Sequence, residues 1–112
     1  MFRHVVLFTW TPEATREQQQ TVAAELRKLP GLIPEIRAYE TGPDAGLSEG
    51  TYDFAVVAGF DDPAGYAVYR DHPAHRAVID KYLAPIVSSR ARVQFEVPAA
   101  GDTEPAGTPA DQ

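Results

Sequence analysis

The chain has 112 residues and a mass of 12.2 kDa, the size of one domain. Ten Lys and Arg against sixteen Asp and Glu leave a net charge of −6, without the basic stripe that a phosphate-neutralising nucleic-acid binder needs. The absence of cysteine excludes a disulfide scaffold, a thiol nucleophile, thiolate zinc and an iron–sulfur cluster, and no apolar run reaches the ~18 residues that span a bilayer.

The opening Met1-Phe2-Arg3-His4 runs straight into a strand-like pattern, so no secretory signal is expected and the cytoplasm is the expected compartment. Residues 2–9 are crowded with Val, Leu and Phe and read as a strand buried on both faces. Thr11-Pro12-Glu13 has the chemistry of a helix start. Thr11 caps, Pro12 suits the first helical position and Glu13 sits against the positive end of the helix dipole. Val22, Leu26 and Leu29 fall on one apolar stripe, and Pro30-Gly31 stops the helix. A second strand is expected over about residues 36–41.

Residues 42–50 read as a loop long enough to fold over a site. Residues 52–60 form a third strand, with Phe54, Val56, Ala58 and Phe60 on one face and Ala55 and Val57 on the other. Asp62-Pro63 opens a second helix. A break is predicted at His72-Pro73, because a residue before proline is pushed out of the helical region. Pro73 starts another helix, which Pro85 ends. A fourth strand over about residues 88–97 alternates Val93, Phe95 and Val97 with Arg92, Gln94 and Glu96. Residues 98–112 hold three prolines, two glycines, three acids and no large apolar side chain, so a disordered acidic tail is expected after a domain over residues 1–97. Truncation after Val97 should leave the melting temperature almost unchanged. A loss of several degrees in a thermal scan would show that the tail docks on the body.

Strand, helix, strand, strand, helix pair, strand is the α+β, ferredoxin-like βαββαβ order. It builds a four-stranded antiparallel sheet with helices on one face and the first and third strands at its centre. Those central strands are apolar on both faces, yet the helices cover only one, and a bare apolar sheet face is an interaction surface. A second copy packing sheet against sheet in a two-fold homodimer is the simplest solution. The loop at residues 42–50 lying over the open face is the alternative.

Three histidines can titrate near neutrality: His4 on the first strand, and His72 and His75 in Asp71-His72-Pro73-Ala74-His75. No metal is expected, because cysteine and a His-Glu-x-x-His spacing are both lacking. His72 reads as a cap before Pro73, with a place at the substrate as its second reading. His75 reads either as a general base or as a partly buried residue tying the helix start to the sheet. Tyr69 would then be the phenol that holds an enol or carbonyl oxygen. Trp10, Tyr39, Tyr66 and Tyr82 read as packing residues of core or rim. Neither a phosphate loop, a dinucleotide fingerprint nor a Gly-x-Ser-x-Gly elbow is present, and no cofactor is expected.

Arg3-His4-Val5-Val6-Leu7-Phe8, Leu29-Pro30-Gly31-Leu32-Ile33-Pro34 and Tyr69-Arg70-Asp71-His72-Pro73-Ala74-His75 together resemble the stress-responsive dimeric A/B barrel (Dabb) family over about residues 2–97. The resemblance implies a ferredoxin-like protomer and a homodimer whose two sheets form a dimeric α/β barrel. It also points to polyketide cyclases similar to olivetolic acid cyclase, which close a linear β-polyketide thioester by an aldol reaction with neither cofactor nor metal. Carried over by position, it makes Tyr69 and His75 the acid–base pair and places His4 at the substrate. Phe54 stands where the cyclase has a further histidine early in its third strand, and with His72 completes the residues expected at the substrate. The expected function is binding of a small apolar, polyketide-like molecule, with cofactor-independent cyclisation as the reaction. A non-catalytic stress-responsive ligand-binding dimer and a cofactorless monooxygenase are the alternatives.

Overall fold

A computed structural model describes residues 1–98, so the tail expected to be disordered lies, from residue 99 onward, outside the described residues. β1 (Phe2–Trp10) pairs antiparallel with β3 (Phe54–Phe60) on one side and with β4 (Val87–Glu96) on the other, and β2 (Ala38–Pro43) lies outside β3. The sheet order is therefore β2-β3-β1-β4, the ferredoxin-like arrangement, with the two strands that are apolar on both faces at its centre. α1 (Arg16–Arg27), α2 (Pro63–Asp71) and α3 (Pro73–Val78) pack on one face. Val22, Leu26, Tyr69 and Val78 from the helices meet Phe8, Phe54, Val56, Ala58 and Phe60 from the sheet in one buried core. Phe8 stacks on Phe54 with ring centroids 5.3 Å apart, and Trp10 closes edge-on against Phe8. Among the described residues, no helix is long and apolar enough to cross a membrane.

Two helix boundaries differ from the sequence expectation. α1 begins at Arg16 rather than beside Pro12, because Thr15 and Gln18 form a reciprocal capping box. The Gln18 N–H donates to the Thr15 hydroxyl at 3.1 Å and the Thr15 N–H donates to the Gln18 side chain at 2.9 Å. Two helix-end donors are satisfied in this way, more than Thr11 alone offers. The Thr11 N–H is instead taken by the Ile86 carbonyl at 2.8 Å, which pins the end of β1 to the start of β4. The helix expected to run to Pro85 is regular only to Val78. It widens to a π turn over Ile79–Leu83 and tightens again over Ala84–Ile86, where Pro85 has no N–H to continue the ladder. The two Asx- and proline-based signals hold: Asp62 accepts the Gly65 N–H at 2.9 Å, and His72 breaks the helix in an extended conformation.

Alternation sets the two faces of the sheet. His4, Val6 and Phe8 of β1 and Phe54, Val56, Ala58 and Phe60 of β3 face the helices. Val5 and Leu7 share the other face with Val57 and Ala55. A half-covered antiparallel sheet ordinarily turns its apolar side to the core, and β4 does the reverse. Val93 and Phe95 point away from the helices and are 54% and 47% exposed, whereas Arg90, Arg92 and Gln94 pair with Phe8, Val6 and His4 on the helix side. The uncovered face is thus an apolar surface built on Val5, Leu7, Val57, Val93 and Phe95. The β2–β3 loop reaches only its margin, where Ala45 and Tyr52 border a hollow with Leu7 and Ala55.

Candidate functional site

Because β4 presents polar side chains under the helix layer, sheet and helices do not close completely there. A cavity of about 110 Å³ remains between them. Its floor is His4, Val6 and Phe8 of β1 with Val56 of β3; its roof is Tyr66 and Tyr69 of α2 and His75 of α3. Ile79 and Leu83 of the π turn close one side, and Arg70, Arg76, Arg90 and Arg92 line it as well.

His75 stands in the first turn of α3, held by the break at His72-Pro73. Its Nδ1 lies 3.2 Å from the Arg70 carbonyl oxygen, which can only accept, so Nδ1 carries the proton and Nε2 keeps a free lone pair. Burial lowers the His75 pKa below the usual imidazole value, outweighing the Arg70 and Tyr69 backbone carbonyls that favour imidazolium. The neutral ring lies against Tyr69, with centroids 4.1 Å apart and an interplanar angle of 30°.

Tyr69 is 2% exposed, and burial is the main reason its phenol is pushed up to about 12. Its hydroxyl is 3.2 Å from that of Tyr39 on β2. Burial also holds the Tyr39 phenol well above its usual range, with the neighbouring Tyr69 adding to it. Either hydroxyl can donate in this contact. In the arrangement with Tyr39 as donor, Tyr69 can offer its proton to a guest in the cavity.

His4 is buried on β1, with its ring 4.8 Å from that of Tyr66. The Gln94 amide nitrogen donates to its Nδ1 at 2.9 Å, so His4 carries its proton on Nε2. Burial, then the positive charges of His75 and Arg92, lower its pKa to about 4. A group held neutral in the folded chain to about pH 4 takes its proton near 6.5 when unfolded. The unfolded state therefore binds more protons across that window. Stability is complete above it and falls as the pH drops from about 6.5 toward 4, by up to roughly 3 kcal/mol. Melting temperature measured against pH should fall more steeply over this window for the wild type than for His4→Gln. Parallel curves would show that His4 does not carry the dependence.

Three of the five expected residues come together at this cavity, His4 from β1 and Tyr69 and His75 from the consecutive helices α2 and α3. Phe54 and His72 do not line it. Phe54 pairs with Phe8 in the sheet register and stacks behind that ring, one side chain removed from the cavity. His72 turns its Nδ1 to accept the Ala74 N–H at 3.0 Å and caps α3. Sequence reasoning missed Tyr39, which gave no signal beyond an aromatic on a strand. It also missed Gln94, whose alternation with Val93 and Phe95 was visible but whose face was not. Among the described residues, no group of three or more His, Asp or Glu is placed to hold a metal ion.

Comparison with known proteins places this geometry in a family. The sequence profile of the stress responsive A/B barrel domain matches residues 2–97. An uncharacterized protein of Streptomyces coelicolor is 33% identical over 79 residues, which is 69% of this chain and 81% of that protein. A crystal structure of a dimeric ferredoxin-like protein of unknown function from Thermobifida fusca is 45% identical, covers 86% of this chain and 90% of its own, and superposes with a TM-score of 0.80. A hydroxynitrile lyase from Passiflora edulis reaches a TM-score of 0.78 over 93% of this chain and 96% of its own, at 17% identity, a likeness of fold alone. With the profile spanning every strand and helix described above, the chain belongs to the stress responsive A/B barrel domain family.

Proposed function

We propose that this protein is a homodimeric, cofactor-independent acid–base catalyst. It takes a proton from the carbon between two carbonyls of a small polyketide-like molecule and directs aldol-type ring closure. The observation that carries this reading is the pairing, at one cavity, of an imidazole whose Nδ1 is held by the Arg70 carbonyl, leaving Nε2 as the basic nitrogen, and a buried phenol whose oxygen has a second phenol, Tyr39, within 3.2 Å. His75 Nε2 accepts the carbon-bound proton, and the electron pair left behind becomes an enolate. Tyr69 donates to the enolate oxygen, and Tyr39 supports Tyr69 from behind. The enolate carbon then bonds to a second carbonyl carbon of the same molecule, and the alkoxide formed takes the proton back from His75. The cavity's 110 Å³ is below the ~150 Å³ that takes up benzene, so it fits the reacting carbonyl unit while the rest of the molecule extends toward the mouth. The dimer is supported by the uncovered apolar sheet face and by the dimeric Thermobifida fusca relative.

The test is ring closure of the N-acetylcysteamine thioester of a linear tri-β-keto acid, followed by chromatography. The protein should form carbocyclic product faster than buffer alone. Binding of the thioester without acceleration would instead identify a ligand-holding dimer, and oxygen uptake with an electron-rich quinol would identify an oxygenase.

A further inference from the structure

The lining of the cavity carries charge of one sign. Four of the chain's eight arginines, Arg70, Arg76, Arg90 and Arg92, border it together with two histidines, and no Asp or Glu does. This is a local reversal in a chain of net charge −6. Arg70 is engaged by Asp71, with its Nη2 2.9 Å from the carboxylate. Among the described residues, Arg76, Arg90 and Arg92 form no ion pair with a carboxylate. Their convergence follows from the fold. The inverted alternation of β4 turns Arg90 and Arg92 to the helix side, and Arg76 follows His75 directly on α3.

Gathering three uncompensated guanidinium groups around one concavity costs mutual repulsion, which an anionic guest relieves. Their planar forks match carboxylate and phosphate oxygens pairwise. We infer that the cavity takes a ligand bearing an oxyanion, gripped at the mouth by Arg76, Arg90 and Arg92 while its carbonyl end enters between His75 and Tyr69. The placement of the carbonyl end rests on the acid–base reading above; the selection of an anion does not. The oxyanion belongs either to the substrate, as a carboxylate, or to a carrier, as a phosphate. In both cases the positive field around the cavity also favours the enolate over the neutral ketone.

Calorimetry on the full chain with two matched pairs tests this: levulinate against its methyl ester, and phosphopantetheine against pantetheine. In at least one pair the charged member should bind about tenfold tighter or more, and that pair identifies the source of the oxyanion. The preference should shrink with added salt and vanish in the Arg90→Gln/Arg92→Gln double variant, whose fold is checked by circular dichroism. Arg27→Gln, at the end of α1, should leave it unchanged. His75→Gln should retain the charge preference while losing turnover, so failure of the anion site and failure of the acid–base reading are separable. Equal affinities within both pairs, no binding of any of the four probes, or a preference that survives in the double variant would overturn the inference.

Discussion

Replacing His75 with Gln is expected to slow ring closure by about 10²–10⁴, the contribution of a positioned general base, and to leave a folded protein. Gln keeps polar bulk at the site but has no basic nitrogen to accept a proton. Tyr69→Phe should cost about 10²–10³ through loss of one oxyanion donor. Tyr39→Phe should cost less, roughly tenfold, because it removes only the hydrogen bond that steadies the Tyr69 oxygen. The pH profile adds a second readout. Tyr69 packs against the imidazole, and burial, then the nearby charges of Arg76 and His72, disfavour imidazolium. The base is therefore available below the ordinary imidazole pKa, so kcat/KM should rise on a limb under pH 6.5 and level off by neutrality. Tyr69, pushed up to about 12, keeps its proton across the physiological range. In His75→Gln the acid limb should disappear. Unaltered turnover per folded molecule in that variant would remove His75 from the chemistry and leave it a structural residue.

A comparably large effect is expected on assembly. Light scattering should report about 24 kDa, twice the chain mass of 12.2 kDa. Val93→Glu should return the protein to chain mass. Val93 is 54% exposed in the protomer, so the substitution leaves the protomer core alone. In a two-fold interface each carboxylate occurs twice, and burying an unpaired charge costs several kcal/mol. A monodisperse wild-type monomer at micromolar concentration would defeat the dimer and the barrel together.

The parts of the fold that were legible are those written in local chemistry. Asp62-Pro63 caps and starts a helix with neighbouring groups alone, and the extended residue before Pro73 is a steric consequence of the ring. The start of α1 was misplaced because two local signals competed, and Thr15 with Gln18 satisfies one more donor than Thr11 with Pro12 does. For the site, His75 and Tyr69 share a segment and were legible together. The Tyr39–Tyr69 hydrogen bond joins residues thirty positions apart and depends on how β2 lies over β3, which no local spacing encodes. The alternation of β4 was plain, but which side faces the helices is decided by what covers the other side of the sheet. That information resides in the whole assembly.

The reversed alternation of β4 also bears on how such a protein can diverge. Positions 91, 93 and 95 belong to the uncovered face, positions 90 and 92 to the cavity, and Gln94 to the support of His4, so one strand serves two requirements on alternate residues. Replacing Arg90 or Arg92 changes the charge at the cavity without altering the apolar layer beneath the helices or the uncovered apolar face. A lineage built on this strand can exchange one small molecule for another by single substitutions and inherit its architecture intact.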